Sequence, residues 1–329
     1  MSYRTAEKAL IFFWPFLSSR YYLNFYGGEP LLRFDFIRDI VAFLEKRNKR
    51  LRKRARYSIT TNGSLLREEV IRFLDTHRFS VVLSFDGLAQ DIQRKKGSFK
   101  EIVSHVSELL SRPSIGFETN SVFHPGTVNY LSESMRFIID LGVKDINFSL
   151  SLLKPWGSRA LSKLEAEMEK LGKILLSHYK KEHTIPVADF REDRNRGIFY
   201  CAAGRNRLAL TTDGGIWGCD LFADYFMGKE NRPEAGGYYF GDLNAFSEDY
   251  RKIYRLVSSN YARLSQDNFS TPAQKCLFCE DIESCFMCPV NAAFSSGRLG
   301  EIPRFACEIL RIKIKAKTMF RQALQKLQG

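Results

Sequence analysis

The chain has 329 residues, of which 44% are hydrophobic, and its 50 basic and 37 acidic side chains give it a formal charge of +13. This is enough apolar material for one large domain, or for one large and one small domain. The apolar run at residues 9–17 is far shorter than the roughly 20 residues that span a bilayer, and it lacks the cleavage site of a signal peptide. These features exclude a membrane anchor at this position and predict a cytoplasmic protein with no membrane partner.

Hydrophobic periodicity predicts alternating helices and strands over residues 1–185. The first element is a helix at residues 3–16, and five short strands follow, each with a helix after it. The predicted strands are 21–26, 57–61, 80–85, 114–123 and 145–152, and the helices that follow them are 31–51, 70–74, 99–110, 131–141 and 160–179. This alternation predicts a parallel sheet, either open and doubly wound or curved into part of a barrel. In both architectures, ligands bind beyond the carboxyl ends of the strands.

The sequence changes character after about residue 185. Helical periodicity fades, and glycine and aromatic residues accumulate at 236–240. Asp213-Gly214 lies between short segments at 208–212 and 216–218, which predicts a β-hairpin. A final helix is expected from Glu308 to about Leu327. The resulting domain prediction is a β/α domain at 1–185, a loop-rich domain at 186–307 and a C-terminal helix at 308–329.

All seven cysteines lie between residues 201 and 307, and none occurs in the first 200 residues. Four of them form a C-x2-C-x5-C-x2-C run, whose short loops can direct several sulfurs to one point. The seven are Cys201, Cys219, Cys276, Cys279, Cys285, Cys288 and Cys307. In a reducing cytoplasm, clustered cysteines favour metal binding over disulfides. Because buried structural thiols would be spread along the whole chain, the clustering predicts a metal centre.

Polar turns follow the first three predicted strands. They are Gly27-Gly28-Glu29-Pro30, Thr60-Thr61-Asn62-Gly63 and Ser84-Phe85-Asp86-Gly87. Each turn alone is typical of an ordinary tight connection. Because successive strands of a parallel array end at one edge, the three turns together could line a polar ligand pocket. In the first turn, the glycines permit close approach to the backbone, and Glu29 could bind the ammonium group of a small zwitterion.

The segment 46–56 holds eight basic residues in eleven positions. It lacks the interleaved aromatic residues and the docking module of a nucleic-acid binder, so a solvated helix end is the favoured interpretation. A basic, zinc-ribbon-like nucleic-acid binder is a further alternative; zinc would leave the protein colourless, whereas iron–sulfur clusters are brown. The β/α array is no part of such modules, so nucleic acid is not the expected partner.

The Gly-Gly-Glu-Pro, Thr-Asn-Gly and Ser-x-Asp-Gly turns and the downstream cysteines occur in the same order in radical SAM proteins with a SPASM domain. The chain resembles that group, which includes anaerobic sulfatase-maturating enzymes and peptide maturases, over nearly its whole length. The resemblance implies an α/β fold: a partial (β/α)6 radical SAM barrel lacking its first strand, followed by a cysteine-rich SPASM iron–sulfur domain. It also implies a maturase with a peptide or protein substrate and an electron donor such as flavodoxin or ferredoxin.

By this resemblance, S-adenosylmethionine (SAM) binds at the strand ends. The first turn would hold its methionyl amino group, and the third would contact its ribose or carboxylate. The implied SAM-binding residues are Gly27, Gly28, Glu29, Pro30, Thr61, Asn62, Ser84, Asp86 and Arg94.

The resemblance also implies two auxiliary 4Fe–4S clusters with interlaced ligands. One would be held by Cys276, Cys279, Cys285 and Cys307, and the other by Cys201, Cys219 and Cys288. One iron of the second cluster would have no cysteine ligand, because Arg207 stands where sulfatase maturases have a further cysteine. A substrate group, water or another side chain could bind this iron.

Asp220 follows Cys219 directly and matches the aspartate that takes a proton from the substrate in those maturases. The alternative for Asp220 is a solvated or capping aspartate.

The C-x3-C-x2-C loop whose cluster cleaves SAM to a 5′-deoxyadenosyl radical in this family does not occur in residues 1–329. We therefore expect no SAM cleavage by the chain as it stands. Loss of a barrel strand would expose on the order of 1,000 Å² of apolar surface, worth up to about 25 kcal/mol, which favours a truncated sequence. The alternative is a non-catalytic electron-transfer or peptide-binding protein that keeps only the auxiliary clusters.

Overall fold

A computed structural model describes residues 1–191, 201, 203–204, 207–243 and 269–328. The chain divides into two compact units. The first, here called the sheet unit, comprises residues 17–192 and 312–329; the second, here called the cysteine unit, comprises 1–16 and 193–311. The described helices do not include one long and apolar enough to cross a membrane.

The sheet unit is built on five parallel strands in the order β1-β2-β3-β4-β5. The strands are β1 (Arg20–Phe25), β2 (Arg54–Thr61), β3 (Ser80–Ser84), β4 (Gly116–Phe123) and β5 (Ile146–Leu150). All five predicted strands, and the parallel sheet, are confirmed. The first three predicted turns therefore lie at the carboxyl edge of neighbouring strands.

Helices follow each strand, as the apolar periodicity predicted. They are α2 (Phe34–Leu51), α3 (Glu68–Thr76), α4 (Gln90–Gln93), α5 (Phe99–Leu110), α6 (Leu131–Asp140), α7 (Ser158–Glu182) and α8 (Ala188–Arg191). In α5, for example, Ile102, Val106 and Leu109 are buried, which is the i, i+4, i+7 spacing of one helix face. The C-terminal part of the last helix also belongs to this unit, and its Phe320 ring packs edge-on against Phe190 with centroids 5.2 Å apart.

The two faces of the sheet differ in polarity. On the face covered by helices, the strands contribute buried apolar side chains such as Ile59, Leu83 and Phe123. On the other face, exposed and half-buried polar residues alternate with them, and Ser58 donates a hydrogen bond to Asn24 Oδ1 at 3.0 Å. Parallel sheets are usually buried on both faces. The polar face is therefore the part of this unit that is suited to contact with a ligand or partner.

The cysteine unit contains a small antiparallel sheet and a packed N-terminal helix. Its strands are β6 (Ala209–Leu210), β7 (Gly215–Trp217) and β8 (Tyr239–Asp242), and its helices are α1 (Tyr3–Phe13), α9 (Asp220–Phe226), α10 (Pro289–Ser296) and the first part of α11 (Arg304–Gln328). The Asp213-Gly214 hairpin joins β6 to β7, with Thr211 N–H donating to the Gly215 carbonyl at 2.9 Å. Helix α1 joins this unit because Ala9 and Phe12 pack with Ile216 of β7.

Residues 1–16 group with the cysteine unit, and residues 312–329 group with the sheet unit. Sequence periodicity identified α1 and α11 as helices, but the partners of an apolar helix face depend on the path of the whole chain.

Gly87, in the third turn, approaches α6 too closely for a side chain. It has φ +57°, and a Cβ atom there would lie 2.7 Å from Ser134 Cβ and 2.9 Å from Ser134 Cα.

Replacing Gly87 with alanine should destabilise the protein by about 2–4 kcal/mol through backbone strain and overpacking, measured by urea denaturation. The control is Gly172→Ala in α7, where a Cβ would meet nothing within 4 Å and should stabilise the helix by about 0.5–1 kcal/mol. Equal effects of the two substitutions would contradict this account.

Glu167 of α7 anchors the start of α6. Its Oε2 accepts hydrogen bonds from Ser132 N–H at 2.9 Å and from Ser132 Oγ at 2.5 Å, and its Oε1 pairs with Lys170 at 2.8 Å. Burial alone would raise the pKa of Glu167, but these hydrogen bonds outweigh it and the pKa is lowered. The carboxylate therefore stabilises the fold above the unfolded-state pKa of about 4.3, and this contribution is lost as pH falls through the folded-state pKa.

Replacing Glu167 with glutamine should lower the unfolding free energy at pH 7 by about 1–3 kcal/mol, because a charged acceptor is lost from buried donors. It should also make stability less dependent on pH in the acid range. Urea denaturation of both proteins between pH 3 and pH 7 measures this. Parallel pH profiles for the two proteins would show that Glu167 does not have the assigned effect.

Candidate SAM and iron–sulfur sites

The first turn is built so that its backbone is open. Gly27 has φ +133°, which an L-residue rarely adopts, and a Cβ at Gly27 or Gly28 would meet nothing within 4 Å. Pro30 begins a short 3₁₀ helix at 30–33, and Glu29 caps it by accepting a hydrogen bond from Leu31 N–H at 3.1 Å. Two adjacent glycines therefore present peptide groups at the carboxyl edge of β1 without side chains to shield them.

Glu29 also joins the first turn to the second. Its Oε1 accepts a hydrogen bond from Thr61 Oγ1 at 2.8 Å, and its Oε2 accepts one from Asn62 N–H at 2.8 Å. Asn62 in turn accepts a hydrogen bond from Ser64 N–H at 2.9 Å, which shapes the turn after β2. The structure thus brings together the residues that the sequence predicted in the first two turns. A carboxylate fixed by three donors keeps its position and retains lone pairs for a ligand cation.

In the third turn, Asp86 fixes Arg94. Its carboxylate accepts hydrogen bonds from Arg94 Nε at 2.6 Å and Nη2 at 3.3 Å, and from Val122 N–H at 2.8 Å. Only 1% of Asp86 is exposed, so its carboxylate faces Arg94 and the backbone of Val122 rather than solvent. Ser84, also predicted, lies at the end of β3 opposite Asn120, on the polar face of the sheet.

One residue of this network, Gln90, was not found from the sequence. The side chain of Gln90 accepts a hydrogen bond from Asp86 N–H and donates one to Ser98 Oγ, both at 3.1 Å. Gln90 thereby ties the third turn to the Gly97-Ser98-Phe99 segment that opens α5. The only sequence signal was the short distance between Asp86 and Gln90, which many helical turns share.

In the cysteine unit, the thiols fall into two groups by their mutual electrostatic effects. The first group, here called the four-thiol group, is Cys276, Cys279, Cys285 and Cys307. Burial raises the pKa of Cys276 to about 11, and the charges of the other three members contribute to the increase. Burial likewise raises the pKa of Cys307 to about 11, with contributions from Cys285 and Cys279. These four side chains therefore lie near one another although Cys307 is distant in sequence.

The second group, here called the three-thiol group, is Cys201, Cys219 and Cys288. Burial is the main cause of the raised pKa values of all three thiols, and it raises the pKa of Cys219 to about 11. Cys288 raises the pKa of Cys201, and Cys201 raises that of Cys219. Cys288 thus lies near Cys201, which is on a segment remote in sequence.

The spacing of these groups bears on which metal they suit. Among the described residues, no three His, Cys, Asp or Glu side chains converge closely enough for a single ion. A tetrahedral zinc with Zn–S bonds of about 2.3 Å would hold its sulfurs roughly 4 Å apart. A cubane cluster needs wider spacing, because each thiolate binds a different iron. Cysteine thiolates are the usual ligands of iron–sulfur clusters, so the donor chemistry of both thiol groups is compatible with such clusters.

Two charged residues accompany the three-thiol group. Asp220 begins α9 directly after Cys219, and its charge raises the pKa values of both Cys219 and Cys288. Arg207 has the opposite effect, because its guanidinium lowers the pKa of Cys201. A carboxylate and a guanidinium therefore lie close to the group that has one thiol fewer.

The family model of the Radical SAM superfamily matches residues 16–138. Over 299 residues the chain is 32% identical to a cysteine-type anaerobic sulfatase-maturating enzyme of Clostridium novyi, covering 80% of this chain and 78% of that protein. It is 30% identical over 179 residues to the uncharacterized protein MJ0907 of Methanocaldococcus jannaschii, covering 53% of this chain. It is 22% identical over 307 residues to the radical SAM cyclopropyl synthase TigE of Paramaledivibacter caminithermalis, covering 89% of this chain.

The chain spans only 60% of MJ0907 and 59% of TigE. Among solved structures, native anSMEcpe with bound AdoMet and the Kp18Cys peptide matches 99% of this chain and 91% of its own, with a TM-score of 0.74 at 15% identity. The structural similarity establishes the fold. The sequence similarity to the Clostridium protein shows in addition that the two chains belong to one family. This chain belongs to the radical SAM superfamily, among relatives that include anaerobic sulfatase-maturating enzymes.

Proposed function

We propose that this chain binds SAM and auxiliary clusters and acts as a maturase that modifies a peptide or protein. The named relatives support the reaction class, since one is a sulfatase-maturating enzyme and another a cyclopropyl synthase. The structural neighbour binds AdoMet together with a peptide. In this proposal the sheet unit corresponds to a partial barrel and the predicted range 186–307 to a SPASM domain.

The SAM site lies at the carboxyl edge of β1, β2 and β3. The open backbone of Gly27 and Gly28 and the carboxylate of Glu29 would receive the methionyl amino group. Arg94, held by Asp86, would pair with the carboxylate of SAM. Thr61 and Asn62 hold Glu29 in place, so they act on the ligand by positioning that carboxylate.

The cysteine unit would hold two auxiliary clusters, one on each thiol group. When bound, such clusters supply sites that accept or pass electrons. Asp220, whose charge affects Cys219 and Cys288, would take a proton from the substrate on a carboxylate oxygen, which suits paired loss of a proton and an electron. Arg207 keeps positive charge there, so an anionic group is favoured near the cluster that lacks a fourth thiolate. A flavodoxin or ferredoxin would be the electron donor.

The observation that carries this proposal is the division of the seven thiols into two groups. Each group combines cysteines from segments that are distant in the sequence. We expect anaerobic reconstitution to give a brown protein with about seven or eight irons per chain. A colourless preparation that binds zinc would overturn the proposal. Isothermal titration should show SAM binding to the reconstituted protein, and its absence would remove the assignment of the strand-end site.

A second candidate is a protein that transfers electrons or binds peptides without cleaving SAM. It is favoured by one observation, the absence of cysteine from the first 200 residues, which leaves the sheet unit without thiol ligands. Residues 1–329, reconstituted and mixed with SAM and dithionite, should then form no 5′-deoxyadenosine. Detection of 5′-deoxyadenosine by mass spectrometry would exclude this candidate.

A further inference from the structure

Three arginines project from the polar face of the sheet near its amino-terminal edge. In the register of β1 and β2, Arg20 lies opposite Arg54, and Tyr22 lies opposite Arg56. Residues two apart on a strand share a face, so the three guanidinium groups are on the same side. All three arginines are exposed, whereas Tyr21 on the other side of β1 is buried beneath the helices. We call Arg20, Arg54 and Arg56 the arginine face.

The arginine face is unfavourable without an anion. Like charges directly opposite on neighbouring strands destabilise a sheet. Within the described parts of the chain, no ion pair of 4.0 Å or less joins Arg20, Arg54 or Arg56 to a carboxylate, although the structure has many ion pairs elsewhere. Arg54 and Arg56 were predicted, with the rest of segment 46–56, as part of a solvated helix end. The register shows instead that Arg54 and Arg56 belong to a strand and meet Arg20 from outside that segment.

Arg56 is also held in place by an uncharged partner. Its Nη1 donates a hydrogen bond to the Tyr22 hydroxyl at 3.1 Å, and its guanidinium carbon lies 5.7 Å from the centroid of the Tyr22 ring. Contact with an aromatic ring leaves the remaining guanidinium donors available. The side chain is therefore oriented without being neutralised.

We propose that the arginine face binds carboxylate side chains of the peptide substrate, a proposal that rests on the proposed function. A guanidinium forms paired hydrogen bonds with a carboxylate, which neutralises both charges. Arg54 and Arg56 are two residues apart, and an extended peptide presents alternate side chains at the same interval of roughly 6.6 Å. The best ligand is thus an extended segment with acidic residues at alternate positions, such as Glu-x-Glu.

The test is fluorescence anisotropy with a labelled Glu-x-Glu-x-Glu peptide and its Gln-x-Gln-x-Gln counterpart, using reconstituted protein of residues 1–329. The variant is Arg20→Gln/Arg54→Gln/Arg56→Gln. The matched control is Lys46→Gln/Lys49→Gln/Arg50→Gln, which removes the same charge from exposed positions of α2. We expect about tenfold weaker binding of the Glu peptide by the first variant and less than twofold by the control. The Gln peptide should bind weakly to all three proteins.

Equal weakening in both triple variants would overturn the proposal, since net charge alone would then explain binding. Tighter binding of a single-stranded oligonucleotide than of the Glu peptide, lost in the first variant, would also overturn it in favour of nucleic acid. A wild-type protein that binds SAM and assembles clusters but binds neither peptide would overturn this inference and leave those two parts of the proposed function standing. Circular dichroism of each variant excludes loss of folding as the cause.

Discussion

Replacing Cys288 with serine should remove one cluster and leave the other intact, so that iron falls from about seven or eight to about four per chain. The four-thiol group does not include Cys288, although this residue belongs to the same C-x2-C-x5-C-x2-C run. Cys288 is instead coupled to Cys201, which lies on a remote segment. Replacing Cys307 with serine should have the complementary effect, because Cys307 is coupled to Cys276.

Double substitutions distinguish interlaced from sequential ligand sets. If Cys288 and Cys201 serve one cluster, replacing both should remove no more iron than replacing either one. Replacing Cys288 together with Cys307 should remove nearly all of it. Iron analysis and electronic absorption spectra of anaerobically purified proteins give the result. The reverse pattern would show that the four cysteines of the run bind one cluster.

Cluster loss should also lower thermal stability. Ligand binding to the native state stabilises it, and metal-binding energy contributes to folding where a site forms only in the folded chain. Each single substitution is therefore expected to lower Tm, and substitutions within one group should not add. A serine substitution that changes iron content without changing Tm would show that the cluster contributes little to the fold.

Replacing Glu29 with alanine should weaken SAM binding by on the order of 100-fold, measured by isothermal titration. Three donors lose a charged acceptor, and hydrogen bonds to charged groups are each worth about 1.5–3 kcal/mol. The first turn would then no longer be fixed to Thr61 and Asn62, and the methionyl ammonium would lose its carboxylate. Glu29→Gln keeps the size of the side chain and should have a smaller effect.

The control is Glu101→Ala, an exposed carboxylate at the start of α5 in the same unit. It changes the net charge equally and should leave SAM affinity within about twofold, since exposed charges interact weakly with distant ones. Near-equal SAM affinity in Glu29→Ala and Glu101→Ala would contradict the assignment of Glu29. Urea denaturation of both variants separates loss of binding from loss of folding.

The sequence by itself determined the elements of the sheet unit and most residues at their ends. Strand and helix periods are local, and turn residues such as Gly27 and Asn62 are chosen by local backbone geometry, so both can be read without knowing the fold. The resemblance to radical SAM proteins, carried by the same turns, predicted the superfamily that the comparisons established.

Only the tertiary structure decided which side chains meet. Glu29 and Asn62 are 33 positions apart, and Asp86 and Val122 are 36 apart, so no local pattern could pair them. Gly87 was predicted as a turn former, but its close approach to Ser134 is what excludes a side chain. The arginine face shows the same limit. The basic residues at 46–56 were interpreted as a solvated helix end, and only the strand register shows that Arg54 lies opposite Arg20. Such contacts depend on the path of the chain between the two residues, which sequence periodicity does not specify.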